Sequence, residues 1–151
     1  MFGPYWAALA SQSFYLDHRF TMVAQCAEAY VGRRKTKPKL TFEQRIRYLL
    51  ESTPRAVRSQ LPPSKEFAKE VVWARNHLVH RDARSSRRAA TGARLWAMTE
   101  IVKFIYDVAI LRELRFTQAE IARLVSFERN RRIDGILRRA LEVWNETTPG
   151  R

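Results

Sequence analysis

The sequence predicts an all-α protein, built as a bundle of about five to six helices. Its 46% hydrophobic content and only five glycines suit a packed helical domain better than a disordered arm. Apolar residues recur at helical spacing in several long segments, and no strand-like alternation or internal repeat is found. We expect one domain over residues 1–151, with a core at about 14–125 and a C-terminal helix at about 130–145.

The first predicted helix covers about residues 14–31. Its apolar side chains form one stripe, at Leu16, Phe20, Val23, Ala27 and Tyr30. The basic stretch GRRKTKPK follows, and Gly32 and Pro38 are expected to break the helix there.

Two shorter signals mark the next helices. Thr41 and Gln44 form a capping box for a helix through about Ser52, and Pro62 and Pro63 then close a loop. Ser64 is expected to cap a third helix. The core stripe of that helix contains Phe67, Val71, Ala74 and Leu78. The stretch RDARSSRRAATGAR interrupts it.

The second half of the chain contains the most apolar helix, at residues 94–114. The buried face of this helix contains Leu95, Met98, Val102, Ile105 and Ala109, while Lys103 and Asp107 mark its wet side. Thr117 and Glu120 then form a second capping box for a short helix. The stripe of the last helix is expected at Ile133, Ile136, Leu137 and Leu141.

The charge balance favours a polyanionic partner. The 28 Lys and Arg residues against 15 Asp and Glu residues give a formal charge of +13, which attracts nucleic acid, an acidic membrane surface or an acidic protein. A single cysteine, Cys26, excludes an intramolecular disulfide and suits a reducing compartment. The three histidines His18, His77 and His80 form no zinc-type cluster with it, so we expect no metal and no cofactor.

No segment of the sequence predicts membrane insertion or secretion. A span needs about 20 apolar residues, and the most apolar stretch, MTEIVKFIYDVAIL, contains Glu100, Lys103 and Asp107. The N-terminus, MFGPYW, lacks the basic start of a secretory signal. We therefore expect a cytoplasmic protein.

The stretch WARNHLVHRD places unusual polar residues late in the third helix. A rotation of about 100° per residue puts Asn76 and His80 opposite the core stripe. Trp73 shares that second face, and Val72 and Val79 border it. The face is too apolar for a fully solvated surface, so we expect another helix or a second copy of the chain to cover it.

This stretch resembles the signature of HEPN domains (higher eukaryotes and prokaryotes nucleotide-binding), which is R-x(4 to 6)-H with Asn, Asp or His often following the arginine. The chain has R-N-H-L-V-H from Arg75 to His80, and the downstream LWAMTEIVKFIYDVAILRELRFTQAEIARL is similar to the ApeA-type subgroup. The resemblance covers roughly residues 14–125. It implies a HEPN-type helical bundle and a metal-independent endoribonuclease, with a place in anti-phage defence by abortive infection.

The resemblance also implies a role for each motif residue. His80 transfers a proton near neutral pH, Arg75 stabilises charge on the phosphoryl oxygens, and Asn76 orients the imidazole or the phosphate. The 2′-hydroxyl of RNA attacks the adjacent phosphate, which leaves a 2′,3′-cyclic phosphate. RNA phosphates are expected on the residues beside the motif, at His77, Arg81, Arg84, Arg87, Arg88 and Arg94. A second candidate is the loop with Arg33, Arg34, Lys35, Lys37 and Lys39.

Family resemblance further implies a homodimer. Arg75 lies about 140° around an ideal helix from His80, so the two meet through the reach of arginine, a helix distortion or a partner subunit. In the family, two motifs commonly converge across a homodimer interface. Larger ApeA-like proteins carry a separate N-terminal domain, so we expect a stand-alone or truncated member without its N-terminal sensor domain or partner.

Three alternatives remain open at the level of sequence. Arg75 can pair structurally with Glu70 or Asp82 while His80 meets the C-terminal end of the helix dipole. A HEPN scaffold without catalysis can bind RNA or a partner through its basic surface. The stretch TQAEIARLVSFERNRRIDGILRRALE resembles a helix-turn-helix, but Ser126 replaces the turn glycine and Arg132 an apolar core residue.

Overall fold

The computed structural model describes residues 15–34, 40–80, 89–125 and 131–148, and these contain helices and no strand. The all-α prediction is therefore confirmed. The helices in these ranges are α1 Leu16–Arg34, α2 Phe42–Glu51, α3 Arg55–Arg58, α4 Ser64–His80, α5 Gly92–Glu113, α6 Gln118–Leu124 and α7 Arg131–Glu146.

Helix α5 lies at the centre of the bundle and contacts α1, α2, α6 and α7. Twelve of its 22 residues are buried, which confirms the most apolar segment as the core helix. Helix α1 lies beside α5 and runs in the same direction. Near its start Arg19 pairs with Glu100, and near its end the Tyr30 hydroxyl donates to the Ala109 carbonyl at 3.0 Å. The buried Tyr30 hydroxyl thus has an acceptor, as burial of a polar group requires.

Helix α7 packs against α5 with its C-terminal end beside the start of α5. The prediction for its stripe was partly wrong: Ile136 is 46% exposed, and the side chain of Ile133 lies outside the described residues. The prediction is confirmed for Leu137, which is buried, and for Leu141, which is partly buried; the other buried residues of α7 are Ala140, Val143 and Trp144. The aromatic ring of Trp144, which packs on Phe67 at 5.0 Å between centroids, sets this rotation of the helix.

Helix α4 packs between α1 and α2 through the predicted stripe. Phe67, Val71 and Ala74 are fully buried, and Leu78 is partly buried against the same core. The N-cap prediction was wrong, because Ser64 is the first helical residue and the carbonyl of Pro63 accepts the Phe67 N–H at 3.0 Å. A residue without its own N–H fits the start of a helix, where amide groups lack intrahelical partners.

Both capping boxes are confirmed, at Thr41 with Gln44 and at Thr117 with Glu120. The helix-breaking role predicted for Gly32 was wrong, since α1 continues to Arg34; Pro38 lies outside the described residues. A glycine costs a helix only about 1 kcal/mol. The burial of Tyr30 and Val31, which directly precede Gly32 in α1, outweighs that cost.

Membrane-spanning helices and metal-binding clusters are both absent from the residues that the structure describes. None of the helices there combines the length and apolar character needed to cross a membrane. The same ranges hold no group of three His, Cys, Asp or Glu side chains arranged to bind a metal ion. Cys26 is a free, half-buried cysteine, and burial raises the pKa of its thiol.

Candidate functional site

The R-N-H-L-V-H motif occupies the C-terminal end of α4, between Arg75 and His80. Burial of Val71 and Ala74 fixes the rotation of this helix within the bundle. Arg75 directly follows the buried Ala74, and its side chain lies between α1 and α2. Its backbone position is therefore set by the core.

Three neighbours hold the guanidinium of Arg75. Its Nη2 donates to Glu28 Oε2 at 3.2 Å, and its Nη1 lies 3.5 Å from Asn76 Oδ1, at the limit of a hydrogen bond. The ring of Phe42 lies 5.3 Å from Cζ, within the range of a cation–π contact. The side chain remains 24% exposed, so an immobilised cationic fork still reaches solvent.

Glu28 is itself shared between two arginines. Its Oε1 lies 3.7 Å from Arg45 Nη1, while its Oε2 accepts from Arg75. One carboxylate between two guanidinium groups leaves an excess positive charge, and a partly buried positive site favours an anion such as phosphate. Sequence reasoning missed Glu28 and Arg45. The available signal was that each charged residue directly borders a buried core position, Ala27 and Ile46 respectively.

The pairing of Arg75 differs from the one considered from the sequence. Arg75 does pair with a carboxylate, but the partner is Glu28 from α1. Glu70 instead pairs with Arg94, and Asp82 lies outside the described residues. A contact 47 residues away in the chain cannot be read from helical periodicity.

His80 is the last residue of α4 and is exposed. Within the described ranges, no hydrogen bond or ion pair joins it to Arg75 or Asn76. The structure thus brings Arg75 and Asn76 together and leaves His80 apart. His77, one turn earlier, is half-buried, and its Nδ1 is buried without a hydrogen-bond partner.

The second face of α4 is only partly covered. Val72, Trp73 and Asn76 are half-buried, whereas Val79 is 39% exposed and His80 is exposed. The C-terminal end of this face is therefore open to solvent in one chain. An exposed valine beside the motif histidine is consistent with a contact surface.

The proposed phosphate-binding arginines have a mixed outcome. Four of them, Arg81, Arg84, Arg87 and Arg88, lie outside the described residues, as do the side chains of residues 33–39. The prediction for Arg94 was wrong. Its Nη2 lies 2.6 Å from Glu70 Oε2, and its Cζ lies 4.0 Å from the centroid of the Trp144 ring. The guanidinium of Arg94 therefore makes its contacts within the fold.

An all-helical bundle with R-N-x-x-x-H at the end of a core-packed helix is an architecture of the HEPN class. The family model for Apea-like HEPN matches residues 10–120, and the chain belongs to this family. HEPN domains are generally ribonucleases, and they typically bind RNA and dimerise. No curated protein and no solved structure matches the chain. Helix α7 lies beyond the matched range.

Proposed function

We propose that the chain is a metal-independent endoribonuclease in which Arg75, Asn76 and His80 form the catalytic site. The observation that supports this most directly is the fixed position of Arg75 beside Asn76, one turn before an exposed histidine. A cation held by three neighbours is suited to a transition state whose charge develops at one place, because no reorganisation is needed during the reaction.

The reaction requires no group beyond RNA and these side chains. The 2′-hydroxyl loses its proton and attacks the adjacent phosphorus, and the bond to the 5′-oxygen of the next nucleotide breaks. His80 is the proton-transfer group, since imidazole both accepts and donates protons near neutral pH. Arg75 offers paired donors to the phosphoryl oxygens. The products are a 2′,3′-cyclic phosphate and a free 5′-hydroxyl.

The separation of His80 from Arg75 supports a homodimeric site. Among the described residues of one chain, no hydrogen bond or ion pair joins the two side chains, and the face that carries His80 and Val79 is exposed. We infer that a second copy packs on this face, so that the motifs of two chains converge on one RNA. In an equal mixture of wild type and His80→Ala at a fixed total concentration, random pairing makes only about a quarter of the dimers wild type, so cleavage is expected to fall to about a quarter rather than to half. A cleavage rate proportional to the wild-type share contradicts convergence.

The decisive experiment is RNA cleavage in EDTA by wild type, Arg75→Ala and His80→Ala. Loss of proton transfer lowers a rate by about 10² to 10⁴. We expect His80→Ala to lose cleavage and Arg75→Ala to lose nearly all of it, while both variants stay folded and bind RNA, because neither side chain belongs to the buried stripe of α4. Mass spectrometry of the wild-type product checks for the cyclic phosphate.

Matched controls are available elsewhere in the chain. His18→Ala removes an exposed histidine ten residues before Glu28 on α1, about 15 Å along the helix axis. Arg139→Ala removes an arginine that is 58% exposed on α7. Both are expected to cleave at the wild-type rate. EDTA-sensitive cleavage, or full activity of His80→Ala, contradicts the mechanism.

A second candidate function is a scaffold that binds RNA without cutting it. The observation that favours it is the absence, among the described residues, of a contact between His80 and Arg75. RNA binding without cleavage of any RNA by wild type selects this alternative.

The nuclease proposal includes a cytoplasmic location and a role in anti-phage defence. Phage plating on cells with wild type or His80→Ala tests the role in defence.

A further inference from the structure

We propose that Arg45 is a positioning residue of the site, which acts on Arg75 through Glu28, and that Gly32 provides the space it needs. The inference rests on the proposed function, because it assigns a role within the same site. Among the described residues, no hydrogen bond joins Arg45 to Arg75. It acts through the Glu28 carboxylate that both arginines contact.

The anchoring of Arg45 is unusually complete for an arginine near the surface. Its Nε donates to the Leu40 carbonyl at 3.1 Å, and its Nη1 donates to the Glu28 carbonyl at 3.0 Å. The side chain is only 17% exposed. Two backbone acceptors on different segments fix the plane of the guanidinium, as a single acceptor does not.

Glu28 receives its orientation from this anchored arginine. Arg45 Nη1 lies 3.0 Å from the Glu28 backbone carbonyl and 3.7 Å from its carboxylate. The same carboxylate accepts from Arg75 at 3.2 Å. Arg45 on α2 therefore holds Glu28 on α1, and Glu28 in turn holds Arg75 of the motif on α4.

Gly32 explains how Arg45 can lie across α1. A Cβ at this position meets Arg45 Nη1 at 2.9 Å, which is closer than real Cβ contacts allow, and lies 3.4 Å from Arg45 Cζ. Any other residue at position 32 displaces the guanidinium. Because the clash involves the far end of a flexible side chain, Gly32→Ala moves Arg45 without breaking the helix, in which alanine is the better helix former.

The first test measures cleavage by Gly32→Ala and Arg45→Met. We expect kcat to fall on the order of 10-fold to 100-fold, because small misplacement of a catalytic group has effects of that size. RNA affinity is expected to change little, since Arg75 and its charge remain. The controls are Gly135→Ala, where an added Cβ meets nothing within 4 Å, and Arg47→Met, which removes a 41% exposed arginine from the same helix as Arg45.

A double-mutant cycle separates positioning from a general structural effect. If Arg45 acts through Arg75, then Gly32→Ala adds no further loss of kcat in the Arg75→Ala background. A full additional loss in that background overturns the proposal. Faster cleavage by Gly32→Ala also overturns the proposal, because it would mean that Glu28 inhibits Arg75 instead of orienting it.

A second measurement is independent of cleavage. The Arg75 Nε is buried and lacks a hydrogen-bond partner, so its N–H proton is shielded from water. NMR of the side-chain N–H groups, with the Arg75 signal assigned by its loss in Arg75→Lys, reports how firmly the guanidinium is held. We expect faster solvent exchange in Gly32→Ala and no change in Gly135→Ala. If wild type cuts no RNA but the Arg75 N–H exchanges faster in Gly32→Ala, the nuclease proposal fails and the positioning role of Arg45 stands. An unchanged exchange rate of the Arg75 N–H in Gly32→Ala overturns the positioning role.

Discussion

Replacing Arg94 with methionine is expected to destabilise the fold by about 3 kcal/mol, because this side chain of α5 joins α4 and α7 to its own helix. Its Nη2 contacts both oxygens of Glu70 at 2.6 Å, and its Nε donates to one of them at 2.8 Å. Its Nη1 donates to the Trp144 carbonyl at 3.1 Å. The ion-paired side chains are only 12% and 19% exposed.

The magnitude follows from what the substitution leaves behind. Removal of one partner of a buried ion pair costs about 3–5 kcal/mol, because the other charge stays buried and unpaired. The residual exposure of Glu70 lowers that figure by letting water reach the carboxylate. Loss of the stacking of Arg94 on Trp144 adds about 0.5–1 kcal/mol. Methionine keeps most of the apolar stem in place.

Urea unfolding followed by circular dichroism measures the free energy of unfolding, and thermal unfolding followed by the same signal measures Tm. For a domain of this size, about 3 kcal/mol corresponds to roughly 6–12 °C in Tm. The matched control is Arg139→Met, whose exposed pair with Glu142 is expected to contribute about 0–1 kcal/mol. We also expect the double variant with Glu70→Met to be more stable than Arg94→Met alone, since it leaves no unpaired charge. Equal losses for Arg94→Met and Arg139→Met refute this reasoning.

Two further predictions concern the basic stretch and the start of α6. Arg84, Arg87 and Arg88 are to be replaced together by glutamine, which is expected to weaken RNA binding. The slope of the logarithm of the binding constant against the logarithm of the salt concentration should fall in magnitude by about 0.7 for each lost contact with a single strand. An unchanged slope means that these arginines contact the fold or solvent and not RNA. Bonds from the Thr117 backbone N–H, and then from its hydroxyl, lower the pKa of Glu120. The stabilisation is present above the ordinary pKa of 4.5 and is lost as the pH falls through the lowered value. The protection of the amides at the start of α6, measured as the intrinsic exchange rate divided by the observed rate at the same pH, should therefore fall in acid in wild type and not in Glu120→Gln.

Most of the fold was predictable because it depends on local periodicity and capping. The stripes of α1 and α4 and both capping boxes need only residues a few positions apart. The errors arose where a tertiary contact outweighed a local preference. Gly32 stays helical because Tyr30 and Val31 beside it are buried, and the rotation of α7 follows the packing of Trp144 on Phe67.

The site was predictable only along a single helix. The motif placed Arg75, Asn76 and His80 on α4, but nothing in its spacing identifies Glu28 or Arg45, which belong to other helices. The fate of Arg94 shows the same limit. Its position after an arginine-rich stretch suggested phosphate binding, whereas its partners lie 24 and 50 residues away in the chain.

The two halves of the motif differ in how firmly one chain holds them, and this difference bears on how activity is controlled. Arg75 is fixed by contacts from α1 and α2, while His80 lies exposed at the end of α4 with no such contact among the described residues. Under the proposed mechanism, the phosphate-binding half is already formed in the monomer and the proton-transfer half is completed by assembly. Cleavage per chain then rises with protein concentration until the dimer saturates, because association, and not the order of Arg75, limits the reaction.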